Sequence, residues 1–101
     1  MAEQHEQEII DRWRRAAARA EEEKVRIIDV DGQYRATSSS QPLGSYRIQK
    51  TPEGWTCECI ANGEYGMPCK HLWKLAEDLN LDVLRDMRVI WDPETAALVA
   101  A

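Results

Sequence analysis

Three cysteines and one histidine lie close together near the middle of this 101-residue sequence. They occur as two pairs, Cys57 with Cys59 and Cys69 with His71, and the chain contains no further cysteine. Zinc binds such a set of thiols and imidazole tetrahedrally, with Zn–S of about 2.3 Å and Zn–N of about 2.0 Å. We therefore predict that these four side chains hold one zinc ion.

The local pattern around each pair predicts the element that positions it. The first pair ends a segment, residues 55–59, that is expected to form a strand, where residues two positions apart point to the same face. The second pair precedes apolar residues at helical spacing, namely Leu72, Leu75, Ala76 and Leu79. Residues two positions apart on a helix diverge by about 200°. We therefore expect Cys69 in the turn that enters the helix, where free amides favour a thiolate, and His71 in its first turn.

The two pairs and their surroundings resemble the SWIM zinc finger, in which Cys-x-Cys is followed, after a spacer, by Cys-x-His. Residues 45–50 and 54–56 resemble the β-hairpin of that family, and residues 69–76 resemble its Cys-Lys-His and apolar helix. The resemblance covers roughly residues 25–79, and it departs at residues 60–63, where the family more usually has a proline, an acidic residue and an aromatic residue. It implies zinc binding, a ββα-like unit, and DNA or protein as the usual partner.

Other uses of the cysteines are less consistent with the sequence. Cysteines can be buried hydrophobes, but core cysteines have no reason to pair with a histidine at this spacing. A disulfide is disfavoured because Cys-x-Cys is a poor geometry and an odd count leaves one thiol over. A catalytic zinc keeps an open coordination position, whereas four ligands from one motif close the shell. We therefore expect a structural metal and no enzyme, with Glu58 pointing away from the metal.

Length and charge indicate a single α+β domain, residues 1–101, with an uneven charge distribution. The formal net charge is −5, and three thiolates with one Zn²⁺ make it −6, which argues against a nucleic-acid footprint over the whole surface. Residues 1–24 carry −2, residues 25–76 carry +1 and residues 77–101 carry −4. The polar, acidic start is unlike a signal peptide, and thiolate ligands fit a reducing compartment. We expect a cytoplasmic protein, or a nuclear one in a eukaryotic host.

The remaining pattern predicts an N-terminal helix, a sheet of about four antiparallel strands and a short C-terminal helix. The expected strands are residues 25–30, 33–38, 46–48 and 55–59, with a loop over residues 38–44. The helix over residues 3–23 has an apolar stripe that includes Trp13, and this stripe either docks a partner or, as we favour, covers the domain's own sheet. Residues 80–101 form an acidic extension, with a helix expected to begin at Asp92 and Pro93.

Two functional hypotheses follow from the charges and the resemblance. In the first, the module binds nucleic acid through basic residues near the metal, namely Arg47, Lys50, Lys70 and Lys74, with Arg26 and Arg35 as further candidates. The alternative interpretation of these residues is a scattered set of solvated charges. The other basic cluster, Arg12, Arg14, Arg15 and Arg19, is interleaved with acidic residues and is interpreted as a solvated face.

In the second hypothesis the same zinc-stapled fold is an adaptor for a protein partner. Its candidate surfaces are the acidic C-terminal third with Trp91, or the helix that carries Trp13.

Overall fold

The computed structural model describes residues 2–39 and 41–90, with side chains described for residues 6–39 and 44–90. The helices are α1 (Ala2–Glu22) and α2 (Lys70–Leu79), and a π-helical turn, called the π turn below, spans Ile60–Glu64. The strands are β1 (Arg26–Val30), β2 (Gln33–Ser38), β3 (Gln41–Thr51) and β4 (Gly54–Cys57). The helix expected from Asp92 onward lies outside the described residues.

The four strands form one antiparallel sheet in the order β1-β2-β3-β4, which confirms the predicted α+β fold with a meander. The first hairpin turns at Asp31 and Gly32, whose φ angles are +55° and +83°. Asp-Gly is favoured at such a turn because both residues tolerate positive φ at low cost. The Gly32 amide also donates a 2.8 Å hydrogen bond to the Asp29 carboxylate.

The loop predicted over residues 38–44 is wrong in its extent, because β3 already begins at Gln41. The serine, proline and glycine of this segment instead mark an irregularity inside a long hairpin. Ala36 pairs with Tyr46, and Ser38 pairs with Gln41. Between these two pairs, the single residue Thr37 of β2 lies opposite residues 42–45 of β3. Proline cannot donate to a strand ladder, so pairing is interrupted there while the chain stays extended.

The N-terminal helix packs against α2, which in turn contacts β1 and β4. Its principal neighbour is therefore a helix, and not the sheet as predicted from the sequence. Trp13 is only 2% exposed and lies in one core with the fully buried Leu72 and Leu75, while its ring centroid is 6.5 Å from that of Trp73. The apolar stripe of α1 thus belongs to the domain's own core. No helix among the described residues is long and apolar enough to cross a membrane.

The chain after α2 returns to the open edge of β4. Asn80 ends the helix in a left-handed conformation, and its amide donates to the Ala76 carbonyl. Residues 83–86 form hydrogen-bonded turns that lead into a parallel bridge between Met87 and Trp55. Two backbone hydrogen bonds of 2.9 Å hold residues 86–88, called the strap below, against Trp55.

Candidate metal centre

The four predicted ligands meet in one place. One ligand atom from each of Cys57, Cys59, Cys69 and His71 lies within 4.8 Å of the others, and all four residues are buried. The Cys57 Sγ and the His71 Nδ1 are 3.6 Å apart. A tetrahedral ion with the Zn–S and Zn–N lengths given above would separate these two atoms by about 3.5 Å. The residues present therefore fit one tetrahedral metal ion.

The first ligand pair is not on one straight strand, which corrects the prediction for residues 55–59. The strand β4 ends at Cys57, and Cys59 is the residue that precedes the π turn. Alternate residues of an extended strand are separated by about 6.6 Å, whereas two sulfurs on one zinc ion are about 3.8 Å apart. The chain must therefore bend after the first ligand. Glu58, at the bend, is exposed as expected, and its carboxylate accepts a 3.3 Å hydrogen bond from the Arg47 amide.

The spacer between the ligand pairs contains a short helical turn, whereas its Asn62-Gly63 pair and the glycine and proline of residues 65–68 predict a loop. The π turn winds back over Cys59, so that the Gly63 amide donates a 2.6 Å hydrogen bond to the Cys59 carbonyl. The Asn62 amide also hydrogen-bonds to the Cys59 sulfur. Backbone N–H groups directed at a thiolate favour its charged form, so this turn prepares Cys59 as a ligand.

The second ligand pair lies at the start of α2, which confirms the prediction. Cys69 is the N-cap, with extended backbone angles of φ −130° and ψ 156°, and its Sγ accepts a 3.4 Å hydrogen bond from the Leu72 amide. His71 is the second helical residue and is 3% exposed. Because the apolar face of α2 is fixed in the core, the helix start and its two ligands have little freedom to move away from β4.

Asn62 is a structural residue of the centre that the sequence analysis missed. Its Oδ1 accepts a 2.8 Å hydrogen bond from the Cys57 amide, and its Nδ2 donates to the carbonyls of Met67 (3.0 Å) and Arg88 (3.2 Å). The side chain thus ties β4, the spacer and the strap together from a position that is 3% exposed. An Asn-Gly pair indicates a turn from sequence, but it does not indicate that the amide side chain provides one acceptor and two donors to three separate segments.

The three thiols do not share charge equally. The pKa of Cys59 is lowered because the thiols of Cys57 and Cys69 donate hydrogen bonds to it. The same hydrogen bond has the opposite effect on its donor, and raises the pKa of Cys57 to about 12. Burial raises the pKa of Cys69. Hydrogen bonding and burial thus favour the thiolate form at Cys59 and the thiol form at Cys57 and Cys69, and a bound divalent cation would favour the thiolate form of all three.

The basic residues predicted to contact nucleic acid are distributed over four elements, α2, β3, β2 and β1. On α2, Lys70 forms an ion pair with Glu23 and its side chain is 14% exposed, while the Lys74 Nζ lies 3.4 Å from the Asp78 carboxylate. On β3, Arg47 and Lys50 are three positions apart and so point to opposite faces of the sheet. Arg35 pairs directly with Arg47 in the strand register, and Arg26 is on β1.

Comparison with known proteins does not assign the chain to a family. No family model matches the sequence, and neither a curated protein nor a solved structure matches it. A cluster of three cysteines and one histidine does not by itself define a SWIM domain.

Proposed function

We propose that the protein is a SWIM-like zinc-finger module in which one structural Zn²⁺ is held by Cys57, Cys59, Cys69 and His71. The observation that carries the zinc assignment is the convergence of four buried ligand atoms within 4.8 Å. Four protein ligands complete a tetrahedral shell and leave no position for substrate, so the module is not a zinc enzyme. Its reduced thiolates suit a reducing compartment, in the cytoplasm or nucleus.

The ion, when bound, supplies a cross-link between the end of β4, the π turn and the start of α2. The chain's own residues orient that cross-link. Asn62 fixes the backbone of Cys57, and the Leu72 amide fixes the Cys69 sulfur. A domain of this size gains considerably from such a staple, because its hydrophobic core is small.

Metal analysis tests the zinc assignment directly. Protein purified without added metal should contain about one equivalent of zinc. Cys69→Ser should lose it, whereas the matched control Glu58→Gln, which changes an exposed residue between two ligands, should retain it. Less than a tenth of an equivalent in a cooperatively folded protein would refute the assignment.

For the partner we propose nucleic acid, contacted through Arg47, Lys50, Lys70 and Lys74. The support is the resemblance to the SWIM finger and the charge distribution, since residues 25–76 are the least acidic part of the chain. The two lysines of α2 are engaged in ion pairs, so their contact with phosphate requires an exchange of partners. Lys74, at 33% side-chain exposure, is the more accessible of the two.

Two substitutions on α2 that each neutralise one charge test this contact. Lys74→Gln should weaken binding to all sequences alike and flatten the dependence on salt by about one phosphate equivalent. Asp78→Asn should strengthen binding, because it releases Lys74 from its ion pair. Both variants are compared with the wild type by fluorescence anisotropy on duplex and single-stranded probes at two salt concentrations. No binding of the wild type at low salt would remove the nucleic-acid proposal.

A protein-interaction adaptor is the second candidate, and an exposed apolar pair on β1 favours it. Ile28 and Val30 are 45% and 54% exposed on a strand at the edge of the sheet, where unpaired backbone groups can add a partner strand. The adaptor surface suggested around Trp91 lies outside the described residues, and the one suggested around Trp13 is buried against α2. Co-purification of one protein without nucleic acid would favour this candidate.

A further inference from the structure

A groove of about 490 Å³ lies between α1 and the metal centre. Three metal ligands, Cys59, Cys69 and His71, line one side of it. The other side carries basic residues, namely Arg12, Arg15, Arg19 and Lys70. Its volume is within the range of ligand sites in proteins, about 300–1,000 Å³.

Helical spacing explains why the arginines meet in this groove. Arg12, Arg15 and Arg19 are separated by three and then four positions, which places them on one face of α1. Ala16, on the same face, is 5% exposed, while Arg15 and Arg19 are exposed, so these arginines border the groove from its solvent side. The sequence pattern predicted one solvated cluster of these arginines and Arg14. Arg14 differs from them in lying outside the groove lining, where it pairs with Asp11 at 3.7 Å.

The groove has an excess of positive charge in an acidic protein. Among the described residues that line it there is no aspartate or glutamate. Glu23, which is outside this lining, pairs with Lys70 and, at 3.2 Å, with Arg19. The lining thus brings four cations together in a chain whose net charge is −5.

His71 also lines the groove. Its Nδ1 faces Cys57, and its Nε2 is buried without a hydrogen-bond partner among the described residues, so the donors open to a ligand are those of the basic side chains. Guanidinium and ammonium N–H groups only donate, so a ligand that satisfies them must accept hydrogen bonds and carry negative charge.

We propose that this groove binds a phosphate group, with Arg15 as the principal contact and Arg12 and Arg19 on either side of it. The inference rests on the proposed function and deepens it, because it moves the main phosphate contact from the lysines of α2 to the arginines of α1. The phosphate belongs either to a nucleic-acid backbone or to a free phosphorylated compound. The competing explanation is that the arginines only offset the charge of the thiolates.

The test uses the zinc-loaded full chain with two probes, pyrophosphate and a short fluorescent oligothymidylate. Arg15→Gln should weaken binding about tenfold, since a charge-assisted hydrogen bond contributes about 1.5–3 kcal/mol. Arg14→Gln is the matched control: it removes the same charge one position away, outside the groove, and should change binding less than twofold. Arg19→Gln is a second variant in the groove, and zinc content and melting temperature are measured for all of them.

Each outcome decides between the explanations. If both probes bind and Arg15→Gln weakens both, the groove holds backbone phosphate. If only pyrophosphate binds in an Arg15-dependent way, the groove takes a free phosphorylated compound and the nucleic-acid proposal fails. If the oligonucleotide binds equally to the Arg15→Gln and Arg14→Gln proteins, the groove is overturned while the nucleic-acid proposal stands. Two further results overturn the proposal that the groove binds phosphate. One is that neither probe binds, and the other is that removal of zinc from the wild-type protein leaves phosphate binding unchanged.

Discussion

The two hairpins of the sheet have the same secondary structure and different surroundings. The hairpin of β1 and β2 ends in the exposed Asp31-Gly32 turn, and its outer strand carries the exposed Ile28 and Val30. The hairpin of β3 and β4 contains the buried Ile48 and Cys57, is bordered by the strap, and leads directly into the metal centre. Both hairpins contact α2, but only the second also contains a residue of the candidate metal centre and a hydrogen bond to Asn62.

This difference shows that strand pairing alone does not set how firmly a part of the sheet is held. Hydrogen-bond ladders are similar in both hairpins, but only the second is also bordered by the strap and would be cross-linked to the start of α2 by a bound metal ion. We therefore expect perturbations near β4 to have large effects and equivalent perturbations near β1 to have small ones.

Removal of zinc should have the largest effect and should act mainly on the second hairpin. Structural zinc contributes on the order of 10–16 kcal/mol in small fingers. That exceeds the stability of about 5–15 kcal/mol of a typical domain. Chelation, or Cys69→Ser, should therefore unfold at least residues 55–79, while α1 and the first hairpin keep part of their structure. Hydrogen exchange resolved by residue measures this, and an unchanged thermal melt after confirmed zinc removal would contradict it.

Acidification should release the metal and reproduce the effect of chelation. Zinc binds thiolates, so protons compete with zinc for the sulfur atoms. The pKa values of Cys57 (about 12) and Cys69 are raised, so these two sulfur atoms bind protons readily. The stability that zinc provides is therefore present at neutral and alkaline pH and is lost as the pH falls. A chromophoric chelator reports release during acid titration. Melting that is independent of pH across the release range would contradict the prediction.

Asn62→Ala should have the next largest effect. It leaves the Cys57 amide and the carbonyls of Met67 and Arg88 without their partners, and each unsatisfied buried group costs about 1–3 kcal/mol. We expect a loss of about 3–5 kcal/mol in the free energy of unfolding, with weaker zinc binding measured by competition with a chelator. Gly63→Ala is not a suitable control because its Cβ would approach the Cys57 carbonyl oxygen to 3.0 Å. Glu64→Gln, which is exposed in the same turn, is suitable.

Gly54→Ala should destabilise the protein by about 2–3 kcal/mol, because it overpacks the contact with the strap. A Cβ at this position would lie 2.7 Å from the Asp86 carbonyl oxygen and 2.9 Å from the Arg88 nitrogen. Its φ of +126° also disfavours any side chain. Chemical denaturation measures the loss, and faster hydrogen exchange at the Trp55 and Arg88 amides would show that the strap has separated from β4.

Gly32→Ala is the matched change in the first hairpin and should have the smallest effect, about 1–2 kcal/mol. A Cβ there would meet nothing within 4 Å, so only the positive φ opposes it. Zinc content and exchange near the metal should not change. A loss as large as that of Gly54→Ala would show that the two hairpins are held equally firmly.

The ligand set and the ends of α2 could be predicted from sequence because their determinants are local. Residue type and spacing alone identify the four ligands, and the apolar repeat locates the helix between Cys69 and Asn80. The Asp31-Gly32 turn likewise follows from two neighbouring residues. The four-stranded meander and its antiparallel order were predicted on the same basis.

The features that sequence did not predict depend on distant partners. The bend after Cys57 leads the chain into the π turn, whose contacts with the strap are not predicted by strand propensity. The hydrogen bond of Asn62 to Arg88 joins residues 26 positions apart. The groove depends on α1 packing against α2, and the arginine pattern alone is equally compatible with a solvated face.

The position of the metal centre along the chain also bears on the order of folding. Cys57 and His71 are 14 positions apart, whereas the ion pair between Glu23 and Lys70, which joins the two helices, spans 47. Closing the shorter segment costs about 1 kcal/mol less entropy, and short loops also close faster. Zinc capture is therefore expected to precede helix docking. The ion then acts as a nucleus on which α1 assembles, and the folding rate should rise with the concentration of free zinc.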